Sequence, residues 1–292
     1  MAGMSCRTPL LSILALLCVA ALAFGQERQS QSGATAPLPA DAENAQKALT
    51  ESPRHGQWVE IELPGGDTKL RTWVSYPERS DGAPVVIVIH EIFGLTDWIR
   101  AVADQLAAEG FVAVAPDLLS GKGPDGGGTE SFEGDTVRAA IQALPGQEVE
   151  QRLNAVRQWA IDHDATTEKT ATVGFCWGGS TSFAYATRQP ALNAAVVYYG
   201  TSPRQERSFQ ELKVPVLGLY GGDDARVTST VPATEEAMKA AGKEFIHHIY
   251  EGAGHGFLRQ QEGRDGANKR AAEAAWKETI AFLRKHLEPA KE

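Results

Sequence analysis

The chain reads as an α/β fold, a mostly parallel central sheet with helices on both faces. Three observations predict it. Short apolar runs recur along the 292 residues, separated by enough chain for a helix. The run Val85–Ile89 is apolar at every position, as a strand buried on both faces must be. Between such runs, apolar residues return at helical spacing, and strands alternating with helices build a parallel sheet covered on both sides.

Taken in order, Trp58–Leu63 and Leu70–Tyr76 flank Gly65-Gly66 and predict a hairpin. After Val85–Ile89, the residues Ile99, Val102, Ala103, Leu106 and Ala107 mark one helical face, with Thr96 as N-cap and Gly110 as the stop. Phe111–Ala115 is the next strand, ended by Pro116-Asp117, and Leu118–Gly134 is a long glycine-rich connection. Two helices follow near Thr136–Leu144 and Glu148–Ile161. Thr170–Phe175 is a strand, and Gly178–Arg188 is the helix that leaves it. Ala194–Tyr199, Val214–Tyr220 and Glu244–Tyr250 complete the strands, with a helix carrying Met238 between the last two. The final helix places Ala272, Ala275, Trp276, Thr279, Leu283 and Leu287 on successive turns. No internal repeat is visible.

Ahead of this domain, Met1–Gly25 reads as a secretory signal peptide. Arg7 supplies a positive start, Leu10–Phe24 an apolar core, and Ala23-Phe24-Gly25 the small residues of a cleavage site. The apolar core is short for a membrane span, which takes about 20 residues. The expectation is export to the periplasm or medium, with no membrane span in the mature chain. Residues 26–55, rich in Gln, Ser, Ala and Pro up to Ser52, read as a flexible leader with a short helix after Asp41. The catalytic-sized domain is 56–292. Its acidic balance, formally −9, and the lack of a Lys/Arg cluster exclude a nucleic-acid surface. A monomer suffices for everything the sequence shows.

Cys6 and Cys18 leave with the signal, so Cys176 is the lone thiol of the mature chain and no internal disulfide is open to it. A lone cysteine is commonly a small buried hydrophobe. This one stands in Gly174-Phe175-Cys176-Trp177-Gly178-Gly179, which has the shape of a nucleophile elbow, G-x-S-x-G, with cysteine for serine. Gly221-Gly222-Asp223-Asp224 follows a later strand, and Gly254-His255-Gly256 follows the last. The order nucleophile, acid, histidine is that of the α/β-hydrolase fold, and all three fall at the strand ends where open sheets place ligands. A thiol with a pKa near 8.5 is only a few per cent ionised at neutral pH. An imidazole can take its proton, and a carboxylate can orient that imidazole. Asp224 is preferred to Asp223 because Val227 follows it at fixed spacing. His247-His248 are strand neighbours facing opposite ways and form no metal pair; His90 reads as structural. After the first parallel strand comes His90-Glu91-Ile92-Phe93-Gly94, the loop that would give one backbone donor of an oxyanion hole, Ile92 N–H, beside Trp177 N–H.

Glu91–Gly94, Gly174–Gly179, Gly222–Val227 and His255–Arg259 together resemble the dienelactone hydrolase family, over about Gln57–Leu287. The resemblance implies an α/β-hydrolase fold and hydrolysis of a carboxylic ester or lactone, with no cofactor and no metal. It implies Cys176 as nucleophile, Asp224 and His255 as acid and base, and Glu91 as the carboxylate that holds the resting thiol and then helps form the thiolate. It also implies Arg259 as a ligand of the substrate carboxylate. The second substrate arginine of the best-known members falls in the region of Arg138, where the insertion Gly121–Gly128 breaks the alignment.

The resulting expectation is an exported cysteine-dependent ester or lactone hydrolase of the carboxymethylenebutenolidase type, passing through an acyl-thioester. Two rivals are a thiol redox protein using Cys176, which has no resolving cysteine, and a ligand-binding homologue without catalysis. Phe93, Trp98, Trp177, Tyr199 and Phe257 lie close enough to the motifs to wall a pocket or simply to pack the core.

Overall fold

The computed structural model describes residues 1–3, 37–66, 68–203 and 207–289, with the side chains of 207 and 208 left aside. Almost all of the expected signal, Met1–Gly25, lies outside the described residues. By compactness the chain divides into Met1–Ala34 and Thr35–Glu292. The second unit carries an eight-stranded sheet with nine helices among its described residues.

Its strands are β1 (Gly56–Glu62), β2 (Lys69–Ser75), β3 (Ala83–Ile89), β4 (Val112–Pro116), β5 (Thr166–Phe175), β6 (Ala194–Tyr198), β7 (Val216–Gly221) and β8 (Phe245–Tyr250). The helices are α1 (Ala45–Glu51), α2 (Asp97–Ala108), α3 (Thr136–Ala143), α4 (Gly146–Ile161), α5 (Trp177–Ala186), α6 (Arg207–Glu211), α7 (Ala225–Thr228), α8 (Val231–Ala240) and α9 (Ala267–Leu287). The sheet runs β1-β2-β4-β3-β5-β6-β7-β8. The β1–β2 hairpin is antiparallel and β2 meets β4 antiparallel; every later pairing is parallel. Among the described residues no helix is long and apolar enough to cross a membrane.

The apolar run of β3 feeds two cores. Val86 and Val88 face α2 and α9, whereas Val85, Ile87 and Ile89 face α4, α5 and α8. This is the alternation of a strand with helices on both faces. Completely burying such a Val or Ile side chain contributes about 1.5–3 kcal/mol each.

The leader is shorter than its composition suggests. From residue 37 onward the chain is tied to the domain. Ala45 of α1 is buried in the core beside α2, and Ser52 and Arg54 both bond the carboxylate of Asp104. Gln261 donates to Pro39 O at 2.9 Å, and Ala42 N–H donates to Arg259 O at 3.0 Å. A few apolar anchors and backbone bonds suffice to dock a polar segment, and composition does not show them. The glycine-rich connection is also ordered. It forms two single 3₁₀ turns, Pro124–Gly126 and Thr129–Ser131, and Asp117 fastens it by accepting from Thr129 N–H at 2.7 Å and Thr129 Oγ1 at 2.6 Å.

Candidate active site

β5 ends at Phe175 and α5 starts at Trp177, so Cys176 stands alone in the turn with φ 56° and ψ −114°. Such a conformation costs a non-glycine residue about 1–3 kcal/mol and must be held by its surroundings. Two bonds hold it: Cys176 N–H donates to Tyr198 O at 3.0 Å, and Ser180 N–H donates to Cys176 O at 3.1 Å. The neighbouring glycines serve close approach. A Cβ on Gly174 would lie 1.9 Å from Gly178 O, and one on Gly178 would lie 2.3 Å from Ile89 O. The elbow therefore closes on itself only with hydrogen at Gly174, and fits against β3 only with hydrogen at Gly178.

Cys176 opens onto a cavity of about 470 Å³ that Ile92, Trp177, Tyr199, Arg226 and His255 also line. His255 sits in the loop after β8, and Gly254 N–H anchors that loop to α9 through Asn268 Oδ1 at 2.9 Å. Its Nδ1 lies 2.5 Å from Asp224 Oδ2, on the turn after β7. Asp223 instead pairs with Arg264 at 2.8 Å on the surface, which separates the two adjacent aspartates. Tyr199 meets the imidazole edge-on, with ring centroids 5.0 Å apart, and is itself held at φ 38°. No side chain hydrogen-bonds the thiol among the described residues, although Cys176 and His255 share the cavity.

The loop after β3 is held from below. His90 is fully buried; its Nδ1 bonds Glu91 O at 2.8 Å, its Nε2 accepts from Leu118 N–H at 3.3 Å, and its ring stacks on Trp177. Burial holds its pKa below the ordinary value, so it stays neutral, with the Nδ1 proton directed at Glu91 O. Leu95 N–H donates to Thr129 Oγ1 at 3.0 Å, joining this loop to the glycine-rich connection. Burial, and then the Glu91 charge, push the Cys176 thiol above its usual pKa; Trp177 N–H, the Arg226 charge and Ile92 N–H oppose the shift. Both candidate oxyanion donors thus lie where they favour negative charge at sulfur.

Glu91 is buried and does not line the cavity, with Oε2 2.9 Å from Arg259 Nε in an ion pair that lacks hydrogen-bond alignment. Burial pushes its pKa up to about 7 against the pull of Arg259. The structure places Arg138 in the same corner: the guanidinium carbons of Arg138 and Arg259 each lie 5.0 Å from the Phe93 ring centre. Of the other aromatics, Trp177 and Tyr199 line the cavity, while Trp98 and Phe257 pack into the core. Arg226, within one of the quoted motifs, was given no role by sequence, and nothing in its local pattern announces that it lines the cavity. Among the described residues no three His, Cys, Asp or Glu side chains converge as a metal site requires. A larger hollow of about 580 Å³ near Gly65 and Gln151 lies away from Cys176. Its Arg152 is already bonded to Glu148, Leu118 O and Ser120 O.

The sheet order, the elbow and the strand-end loops define an α/β hydrolase. The sequence from 70 to 287 matches the dienelactone hydrolase family, and the chain belongs to it. A relative from Salmonella typhimurium, named for carboxymethylenebutenolidase, is 32% identical over 233 residues, covering 76% of this chain and 84% of its own. One from Bradyrhizobium, named for 2-oxo-3-(5-oxofuran-2-ylidene)propanoate lactonase, is 30% identical, covering 79% of this chain and 94% of its own. A solved structure from Klebsiella pneumoniae, described as a dienelactone hydrolase, superposes with a TM-score of 0.69 at 29% identity, covering 79% of this chain and 99% of that one. The protein is a hydrolase of the carboxymethylenebutenolidase-like class, acting on carboxylic esters or lactones.

Proposed function

We propose that the protein is an exported hydrolase in which Cys176, Asp224 and His255 form a triad working through an acyl-thioester. The observation that carries this reading is the shared cavity. A strained thiol and an imidazole already oriented by a carboxylate both open onto it, beside two backbone donors. Cys176 Sγ, once ionised, attacks the acyl carbon while His255 takes the thiol proton. Asp224 holds the ring with Nδ1–H pointing at itself and stabilises the imidazolium. The oxyanion of the tetrahedral intermediate lies against Ile92 N–H and Trp177 N–H. His255 returns the proton to the leaving oxygen, and then activates water to open the thioester.

Because the resting thiol is held protonated, substrate binding must supply part of its activation. Glu91 is the group placed to do so, since its carboxyl titrates near neutrality and its negative charge opposes ionisation of the thiol, so that taking up a proton removes the opposition. In this reading a substrate carboxylate binds Arg259 and Arg138 over the Phe93 ring, loosening Glu91 from Arg259. Export rests on Met1–Gly25 alone and is tested by sequencing the mature N-terminus.

The test of the triad is turnover by wild type and Cys176→Ala of a dienelactone, a neutral lactone and a simple aryl ester. Loss of about 10³-fold or more on every substrate is expected, the scale seen when a catalytic nucleophile is removed. Equal rates in the two proteins would overturn the assignment, and sulfenylation of Cys176 without any acylation would favour the redox rival.

A further inference from the structure

The two edges of the sheet are finished differently. β1 carries Glu60 and Glu62, and the Arg71 guanidinium covers its exposed Trp58 at 4.0 Å from the ring centre. Charge of this kind blunts an edge strand against pairing with another chain. β8, at the opposite end, has no such guard: Phe245-Ile246-His247-His248-Ile249-Tyr250 holds no Lys, Arg, Asp, Glu or Pro. Ile246 and Ile249 are 37% and 49% exposed, and no strand pairs with this edge among the described residues. Phe245 stacks on His247 along one face of the strand, and His248 on Tyr250 along the other.

Val216 N–H donates to Glu244 O at 3.1 Å and Gly222 N–H to Tyr250 O at 2.7 Å, which fixes the phase of the β8 backbone. Glu244, Ile246, His248 and Tyr250 turn their N–H and C=O groups to β7, so those of Phe245, His247 and Ile249 point outward. We propose that a second copy of this chain adds its own β8 here, antiparallel about a two-fold axis at His247, making one sheet across a homodimer. Complementarity selects that register. With His247 opposite its own copy, Phe245 meets Ile249 of the second copy, Ile246 meets His248, and Lys243 meets Glu251. Symmetry makes each contact twice. Neither Lys243 nor Glu251 has an ion-pair partner among the described residues, whereas the intervening Glu244 is held by Lys285 at 3.0 Å. An axis at His248 instead sets Phe245 against Glu251 and Lys243 against Ala253, losing both matches.

Sedimentation equilibrium of the chain from Gln26 onward, at pH 8 and low ionic strength, tests the pairing. The wild type should rise to twice the monomer mass with concentration. Lys243→Glu or Glu251→Lys alone opposes like charges at both ends of the paired strands and should weaken the dimer by about tenfold or more. The two substitutions together should restore it. A wild type that stays monomeric, a dimer unmoved by either reversal, or a double variant no tighter than the single ones overturns the proposal. Cross-linking reads the register directly. Cys176→Ala removes the lone thiol, so His247→Cys or His248→Cys in that background leaves a single cysteine. Opposed residues at 247 would have Cα atoms about 5.5 Å apart, within reach of a disulfide. Mild oxidation should therefore link the His247→Cys protein into a covalent dimer and leave the His248→Cys protein largely unlinked. The reverse outcome, or linkage of neither, overturns the axis at His247.

Discussion

Asp224 and Glu91 are both carboxylates with little solvent exposure, each set against one nitrogen partner at the same catalytic corner. Asp224 bonds an imidazole that is itself open to the cavity. Glu91 faces an arginine that never gives up its proton, and it is itself almost fully buried in the loop after β3. Burial then outweighs the arginine, and the Glu91 carboxyl is pushed up to about 7. In the proposed mechanism the same functional group serves as an orienting anion in one place and a titratable switch in the other. What differs is the partner's acidity and the route to solvent.

The comparison breaks most visibly at Asp224. Asp224→Asn should leave the fold intact and lower kcat by about 10³–10⁴, because the amide cannot hold the Nδ1–H tautomer or stabilise the imidazolium. Steady-state kinetics with an aryl ester measure this, and a loss under tenfold would make the pair merely structural. Asp223→Asn breaks only an exposed ion pair with Arg264 and should change activity little, which sharpens the contrast between neighbours.

Glu91 should reveal itself through pH. A carboxyl whose folded pKa lies above its unfolded value binds its proton more tightly when folded. Its contribution to stability is whole below about pH 4.5 and is lost as pH rises through about 7. Relative to Glu91→Gln, wild type should lose about 3 kcal/mol of unfolding free energy between pH 4 and pH 8. Urea unfolding at several pH values measures the difference; parallel pH profiles would remove the switch. The same variant deletes a charge that raises the thiol pKa, so iodoacetamide should alkylate Cys176 faster at pH 8 than in wild type.

The smallest effect is expected at Thr129. Thr129→Val removes the hydroxyl that accepts from Leu95 N–H and donates to Asp117, leaving the oxyanion loop less firmly held. A fall of about three- to tenfold in kcat with little change in KM should follow, and about 1 kcal/mol in stability. A change in KM alone would mean that the clamp does not reach the reaction centre.

Those residues also show where sequence reading stops. Val85–Ile89, Phe111–Ala115 and Ala194–Tyr199 were legible as continuous apolar runs, and every strand lies within a few residues of its expected place. The elbow was legible because the glycine spacing around Cys176 is a local pattern, although Gly178 answers to Ile89 O on β3 and only Gly174 to a residue four positions on. Choosing Asp224 over Asp223 agrees with the geometry for a local reason, since the turn after β7 presents only one of them to His255. Arg226 and Thr201 were silent as cavity residues, since their nearness to Cys176 is made by the sheet order. Thr129 was hidden inside a glycine-rich stretch that composition reads as slack. The pairing of Glu91 with Arg259 was not legible at all: the family resemblance set Glu91 at the resting thiol and Arg259 at a substrate carboxylate, whereas the structure sets the two against each other.

The strap from residue 37 to Arg54 carries a further consequence, for where this domain may be cut. The family match starts at residue 70, inside β2, and a boundary drawn from strands would fall near Gly56. Either cut removes Pro39 and Ala42, which bond Gln261 and Arg259 in the segment just after His255. The strap is thus the first brace of the histidine loop, arriving from the opposite end of the chain. A domain cut at Gly56 keeps all eight strands and α2–α9 and still loses the contacts that hold the segment after His255.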